Sequence, residues 1–338
     1  MPDREAISPT NSMRDHGNQS LAVGPTVWRA AGNTRICDDH YRLTLTGPAC
    51  PPGAPGQFVT IAPAHLKEST AVGRTGTPFY LRRAMSIAGL RRTPSQVEID
   101  VIYRVIGAAT RWMRTLRKGD DVSLVGPLGS PFPVSATKPR AWLVAGGVGV
   151  PPLLWMAQSL AARGKSAVAL LGAREQRLLP VTVVQPVHRP ARAVDPSLCV
   201  AEFAAHGVPS VLATDDGSAG FAGDVVEAVR AHDAAHPSDP AELVVYACGP
   251  DAMLASLADW CIARGLECHV CLERAMACGL GTCQSCVVPV RCETDPDGWT
   301  YELCCSEGPV FDCSRVAWKN VGKSRGMAHS GPADGQPA

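Results

Sequence analysis

The chain has 338 residues, 46% of them apolar, with 32 basic and 31 acidic side chains and a formal net charge of +1. That length allows two or three domains with real cores, and the near-neutral balance gives no electrostatic basis for binding nucleic acid or an anionic membrane. The N-terminal "MPDREAISPTNSMRDHGNQS" has no apolar segment of the secretory kind, and the longest uncharged apolar run, "AWLVAGGVGVPPLLWMA" (Ala141 to Ala157), is too short and too broken by Gly and Pro to span a bilayer. The expected compartment is therefore the reducing cytoplasm, where clustered cysteines point to metal binding or catalysis rather than disulfides.

In chain order, residues 1–22 are polar and unpatterned and predict disorder, as do residues 319–338. Residues 23–136 form a first block punctuated by Gly and Pro. It contains short β-type runs, "YRLTLTG", "QFVTIAP" and "VEIDVIYRVIG"; alternation in "RLTLT" and "VEIDVIY", with turns at short intervals, predicts an antiparallel barrel or sandwich. Within it, "LRRAMSIAG" offers Arg83 and Ser86 on a strand, and "YRVIGAATRWM" offers Gly107 and Thr110 at a helix start. An arginine beside a helix N-terminus is a diphosphate clamp in outline, although Arg83 also reads as a surface charge.

Residues 137–265 alternate strand-like and helix-like runs: "AWLVAGG", "VPPLLWMAQSLAARG", "SAVALLGA", "DVVEAVRAHDAAH", "ELVVYACGP" and "DAMLASLADWCIARG". This rhythm predicts a parallel sheet covered by helices. Gly146, Gly147 and Gly149 follow a strand and precede a helix, where backbone amides can meet a pyrophosphate; a tight strand–helix turn accounts for them equally well. Cys248, Gly249 and Pro250 end a second strand in the same way, with Cys248 either at a nicotinamide or simply buried.

Residues 266–318 are cysteine-rich and too few to be stable without a staple. Cys278, Cys283 and Cys286 are spaced C-x4-C-x2-C, with Cys304 and Cys305 downstream as alternative fourth partners. This is the plant-type ferredoxin spacing for a [2Fe–2S] cluster. Gly279 and Gly281 let the backbone fold closely over the core. Zinc would more often use paired C-x2-C knuckles, and only one is present. Cys268, Cys271, Cys292 and Cys313 read as buried hydrophobes.

The order of "RRAMSI", "YRVIGAAT", "VGPLGSPF", "LVAGGVGVPPLL", "TDDGSAGFAGDV", "VYACGPDAML", "CLERAMACGLGTCQSC" and "CCSEGPVF" resembles the electron-transfer subunits of bacterial dihydroorotate dehydrogenase, within the ferredoxin–NADP reductase superfamily. The likeness runs from about Val23 to Asp312. It implies an α+β multidomain chain: an antiparallel β-barrel FAD domain, an α/β parallel-sheet NAD domain and a small C-terminal [2Fe–2S] domain. It also implies FAD at Arg83, Ser86, Tyr103, Arg104, Val105, Gly107 and Thr110, and NAD at Gly146, Gly147, Gly149, Cys248, Gly249 and Pro250. Cluster ligation falls to Cys278, Cys283, Cys286 and Cys305, the last by its distance from "GPVF". The implied partner is an FMN-containing catalytic subunit in a heterotetramer, with this chain passing electrons to NAD+ in pyrimidine biosynthesis. A similar FAD/[2Fe–2S] reductase serving an oxygenase or a ferredoxin is the alternative. Departures from the family pattern are Ala84 and Met85 beside the flavin, an apparent insertion at Leu179 to Val200, and a long Cys286–Cys305 spacing.

Purified anaerobically, the chain is expected to hold about two iron and two sulfide; stoichiometric zinc without iron in elemental analysis would contradict the cluster.

Overall fold

The Gly- and Pro-punctuated first block folds into six strands, β1 (Thr26–Cys37), β2 (His40–Gly47), β3 (Phe58–Pro63), β4 (Arg83–Arg92), β5 (Val97–Arg104) and β6 (Asp121–Leu128). The computed structural model describes residues 24–48, 50–64, 81–184 and 193–322. The strands close into an antiparallel barrel in the order β1-β2-β5-β4-β3-β6, so no edge is left unpaired. Alternate side chains enter one core: Trp28, Leu43, Leu45, Ile61, Ile87, Ile99 and Leu124 are all buried there. Helix α1 (Ala108–Thr115) joins β5 to β6 and adds Met113 to the barrel core. Asn33 holds its C-terminal end by donating to the carbonyls of Met113 (2.8 Å) and Leu116 (3.2 Å).

The second block supplies β7 (Arg140–Gly146), β8 (Ser166–Ala173), β9 (Ser210–Thr214), the short β10 (Phe221–Ala222) and β11 (Leu243–Cys248), all parallel. Between them run α2 (Val150–Ala161), the short α3 (Ala201–Ala204), α4 (Val225–Ala235) and, after β11, α5 (Asp251–Ala263). Helix α4 starts on a capping box, Asp224 accepting from the amides of Val226 and Glu227 while Glu227 reaches back. Helix α2 is buried on nearly every side because it lies between the sheet and the barrel. Its Trp155 packs into the barrel core while Leu153 and Met156 face the sheet's core.

Two boundaries differ from the sequence expectation. The sheet does not stop at residue 265: β12 (Glu267–Cys271) adds a parallel strand beside β11, and β15 (Val310–Asp312) pairs antiparallel with β12, giving seven strands in the order β10-β9-β8-β7-β11-β12-β15. The cysteine-rich segment is thus an excursion from the sheet edge, carrying one hairpin of β13 (Val287–Arg291) and β14 (Trp299–Leu303). The ordered chain also runs past residue 318, through a 3-10 turn at Trp318–Asn320. Trp318 anchors that turn by donating its indole N–H to the Cys313 carbonyl at 2.9 Å. The disorder expected for residues 1–22 and for 323–338 lies outside the described residues. Leu179 to Val200, read as an insertion, flanks the sheet in its described parts: Val181, Val194, Cys199 and Val200 are buried, and Ser197 bridges to Ser210 at the start of β9.

Arg82 ties β3 to β6 at the barrel wall. Its guanidinium donates to the hydroxyl and carbonyl of Thr60 (2.9 and 3.0 Å) and of Ser123 (3.0 and 2.8 Å). Replacing it leaves two carbonyls and two hydroxyls short of a donor. Arg82→Ala should cost about 1–3 kcal/mol of stability, while the neighbouring Arg83→Ala should stay within about 0.5 kcal/mol. Urea denaturation midpoints of the two variants check the contrast, and equal midpoints would refute it.

Candidate functional site

At the carboxyl end of the parallel sheet, two loops meet. Strand β7 ends at Gly146, and Gly147–Gly149 makes one 3-10 turn into α2, whose Pro151 and Pro152 sit in the first turn where an N–H is not needed. The three glycines do different things. Gly147 has φ +52°, and a Cβ there would meet nothing within 4 Å. A side chain is excluded by backbone conformation while the space beside it stays open, which is what close approach of a pyrophosphate requires. Gly149 is set by packing: a Cβ would lie 2.0 Å from the Cys248 carbonyl oxygen. Gly146 and Gly249 both back onto the Met253 sulfur. The loop after β7 and the loop after β11 are therefore locked together, with Gly147 as the member that faces open space.

Cys248 is buried, and its register partner across the sheet is Cys271. Contact with the Cys248 thiol, then burial, holds the Cys271 thiol well above its ordinary pKa. Side-chain chemistry at Cys248 is thus turned inward, and the backbone of Gly249 and Pro250 forms the exposed lip that leads into α5.

On the barrel side, Arg83 and Ser86 lie half-buried on β4. Arg83 spends Nη1 on the neighbouring carbonyls of Leu81 (3.1 Å) and Arg82 (3.4 Å), and Ser86 has no side-chain partner among the described residues. Arg104 and Val105 follow at the exposed end of β5. Tyr103 turns its side chain inward: its ring is 2% exposed, lies against Tyr41, and donates its hydroxyl to Asn33. Strand alternation sends this side chain to the core, so only its backbone is available to a ligand. Thr110 is likewise committed, its hydroxyl accepting from the amides of Ile106 and Gly107 at 3.0 Å each. It shapes the turn instead of reaching outward. Gly107 has open space where a Cβ would be.

The cysteine loop crosses from the sheet edge to the barrel, where Gly279 rests against Thr60 and Phe58 of β3. Backbone amides point at sulfur: Leu280 (3.3 Å) and Cys283 (3.4 Å) donate to Cys278 Sγ, and Gly281 (3.1 Å) to Cys305 Sγ. Gly279 and Gly281 take φ +73° and +82°, the left-handed conformation that folds the loop over its thiols. Cys305 also touches the Cys286 thiol; burial first, then that contact, pushes its own thiol up to about 11. Cys304 faces the other way. It is fully buried, donates to the Leu272 carbonyl at 3.4 Å, and is pushed up to about 12 by burial. Three amides aimed at the Cys278 and Cys305 sulfurs, with the Cys286 thiol touching Cys305, fit the chemistry of a thiolate-bound iron–sulfur core. Ser285, which the spacing argument passed over, meets Cys283 Sγ at 3.2 Å and accepts from the Ala277 amide. A serine inside the C-x2-C was the available signal.

The family model for the iron–sulfur cluster binding domain of dihydroorotate dehydrogenase B matches residues 273–317. Among curated proteins, the chain is 35% identical over 297 residues to the dihydroorotate dehydrogenase B (NAD(+)) electron transfer subunit of Geobacillus thermodenitrificans, covering 87% of this chain and 99% of that one. It is 33% identical to the subunit of the same description from Lysinibacillus sphaericus, covering 86% and 97%. Among solved structures, an NADH-dependent reduced ferredoxin-NADP oxidoreductase superposes with a TM-score of 0.67 at 24% identity, covering 88% of this chain and 92% of that one. Phthalate dioxygenase reductase superposes with 0.51 at 20% identity, covering 83% and 77%. These two show the shared fold.

Exposed Cys283 is held down to about 6, chiefly by the Ser285 hydroxyl that stabilises its thiolate. In metal-stripped protein, the alkylation rate at Cys283 should therefore be half-maximal near pH 6 and about nine-tenths of its plateau at pH 7, while Cys304 stays protonated and unreacted. Peptide mapping after iodoacetamide treatment reads this out; equal labelling of the two thiols would contradict it.

Proposed function

Because the chain belongs to the family of dihydroorotate dehydrogenase B (NAD(+)) electron transfer subunits, we propose that it carries electrons from a separate catalytic subunit, FMN-containing as the resemblance implies, to NAD+ in pyrimidine biosynthesis. Its cofactors are FAD, a [2Fe–2S] cluster and NAD. The observation that carries this reading is the cysteine loop, whose backbone amides are aimed at the Cys278 and Cys305 sulfurs. Bound to the chain, FAD exchanges a hydride's electron pair for single electrons, and the cluster handles single electrons.

The residues then divide the work. Cys278, Cys283, Cys286 and Cys305 hold the cluster. Cys304 does not, since its sulfur is spent on the Leu272 carbonyl. Arg83, Ser86, Arg104, Val105 and the open face of Gly107 hold FAD, with Tyr103 contributing backbone. Thr110 keeps the turn at Gly107 in shape. Gly147 admits the NAD pyrophosphate to the N-terminus of α2, where unpaired amides and the helix dipole favour it. Gly149 sets the distance from that turn to the Cys248–Pro250 lip, so the nicotinamide end and the pyrophosphate end are positioned by one contact. Pyrimidine oxidation belongs to the partner, in a proposed heterotetramer.

No helix among the described residues is long and apolar enough to cross a membrane. We also propose a cytoplasmic location, supported by fourteen cysteines none of which is in a disulfide.

Alone, the chain should be inert toward dihydroorotate yet oxidise NADH with an artificial dye; adding the catalytic subunit should create dihydroorotate-to-NAD+ turnover. Cys305→Ser should abolish that turnover and spare most dye reduction, whereas Cys304→Ser should retain iron and activity. Gly147→Val should stop NADH from reducing the flavin with the flavin spectrum intact. A formed complex with no dihydroorotate activity would instead mark the chain as a reductase for an oxygenase or a ferredoxin.

A further inference from the structure

Residues 179–200, an apparent insertion by sequence, belong to none of the cofactor sites. The described parts of this segment lie where the barrel meets the parallel sheet. Leu179, Val181, Cys199 and Val200 are buried in one apolar cluster with Ala88 of β4 and Ile102 of β5, and Ile36 of β1 packs against it. Val101 and Tyr103 point into the barrel core, so alternation turns Ile102, between them, outward to this cluster. The two ends of the segment are paired with each other: Val184 donates its amide to the Cys199 carbonyl and Ala201 to that of Thr182, both at 2.9 Å.

Two charged contacts cross the junction, one at each end of the segment, and both reach the β1–β2 hairpin of the barrel. At the front, Arg177 donates Nη1 to the Asp38 carboxylate at 3.3 Å, and its carbonyl accepts from the Asp38 amide at 3.3 Å. At the rear, Arg42 of β2 donates Nη2 to Glu202 of α3 at 3.4 Å. Glu202 is fixed in turn by the amide and the hydroxyl of Thr182, each at 2.9 Å. Arg177 and Asp38 are exposed, so water screens that pair. The Glu202 side chain is 11% exposed, and more of the hold falls there.

The front contact stands between the two redox surfaces. The Asp39 carbonyl accepts from the Val105 amide at 2.8 Å, so the turn that grips Arg177 also holds the flavin-side end of β5. Arg177 lies just beyond β8, whose Gly172 is in register with Gly146 beside the Gly147 turn. One hairpin turn thus reaches from the flavin strand to the neighbour of the pyrophosphate loop. Hydride transfer needs the nicotinamide against the flavin ring, and a misplacement of about 1 Å can cost about 10²-fold in rate. We propose that the 179–200 segment is a brace that sets the flavin-to-nicotinamide distance, with Asp38, Arg42, Arg177 and Glu202 as positioning residues. This rests on the reading that the barrel holds FAD and the carboxyl end of the sheet holds NAD.

The test is stopped-flow reduction of the flavin by NADH in the FAD- and iron-loaded complex, which separates the limiting rate from the Kd for NADH. FAD content is measured in each protein. The variants are Asp38→Asn, Glu202→Gln, the two combined, and His236→Gln. The last removes the contact of His236 with Asp195 (3.2 Å), which ties the same segment to the end of α4 without crossing the junction. The double variant should lower the limiting rate about tenfold at full FAD content, short of the 1 Å penalty because the apolar contact remains. Its Kd for NADH should change little, and His236→Gln should match wild type. A double variant with the wild-type rate overturns the proposal, as does an equal slowing in His236→Gln or a loss confined to NADH affinity. If the double variant does not retain FAD, the single variants decide. A slowed rate in either at full FAD content supports the brace, and wild-type rates in both overturn it. Wild type that binds no FAD would overturn the reading of the barrel, and this proposal with it.

Discussion

The redox parts of this molecule are held in register by hydrogen bonding along one strand. β12 lies parallel to β11 on one side and antiparallel to β15 on the other. Just beyond that ladder, the amide of Leu272 donates to the Pro309 carbonyl, and that of Cys313 to the Cys268 carbonyl, both at 2.9 Å. The chain that leaves the sheet after Cys271 thus returns to the same strand at Val310. Everything between, including the sulfur-bearing loop, is an arch with both feet on β12. Since the last residue of β12 is in register with Cys248, the arch springs from beside the proposed nicotinamide lip.

That placement separates the cysteines of the sheet edge from those of the arch. Cys268 meets the Cys261 and Cys313 thiols and Cys271 the Cys248 thiol in a dry interior, which holds both well above the ordinary thiol pKa. They act as small hydrophobes. On the arch, Cys278 is met by the Leu280 amide and Cys283 by the Ser285 hydroxyl. Cys292, expected to be a buried hydrophobe, is instead half-exposed there, with its thiol against the Thr294 hydroxyl at 3.2 Å.

Much of this was legible in the sequence because local patterns carried it. Alternation pointed to β2 and β5, a short β-type run bounded by turn residues to β3, and the βαβ rhythm to β7, α2, β8, α4, β11 and α5. The preference for Cys305 over Cys304 came from its spacing to "GPVF", and the two side chains do face opposite ways. What was not legible depends on partners far away in the chain. Nothing in "ECHVC" announces that it extends a sheet begun at Arg140, because strand pairing leaves no local trace. The direction of the Tyr103 ring was not legible for a related reason: the period-2 alternation of β5 turns it inward to Tyr41 and Asn33, partners distant in the chain. Arg82 and Arg83 look alike in sequence, and only the barrel's closure assigns the four wall bonds to the first.

The seam between barrel and arch has a consequence for how such a chain can be rearranged. Ser130, just after β6, donates its amide to the Gly308 carbonyl at 2.6 Å, and the Phe58 ring and Pro309 both crowd Gly129. With Gly279 seated on β3, the arch is moulded to the barrel at two places and to the sheet at its feet. A ferredoxin tethered by a linker can be cut off and spliced elsewhere as a cassette. Here a graft would have to bring along the β11–β12 edge and the barrel wall at Phe58. Recombination among such reductases is then expected to move this iron–sulfur segment only together with the body that shapes it.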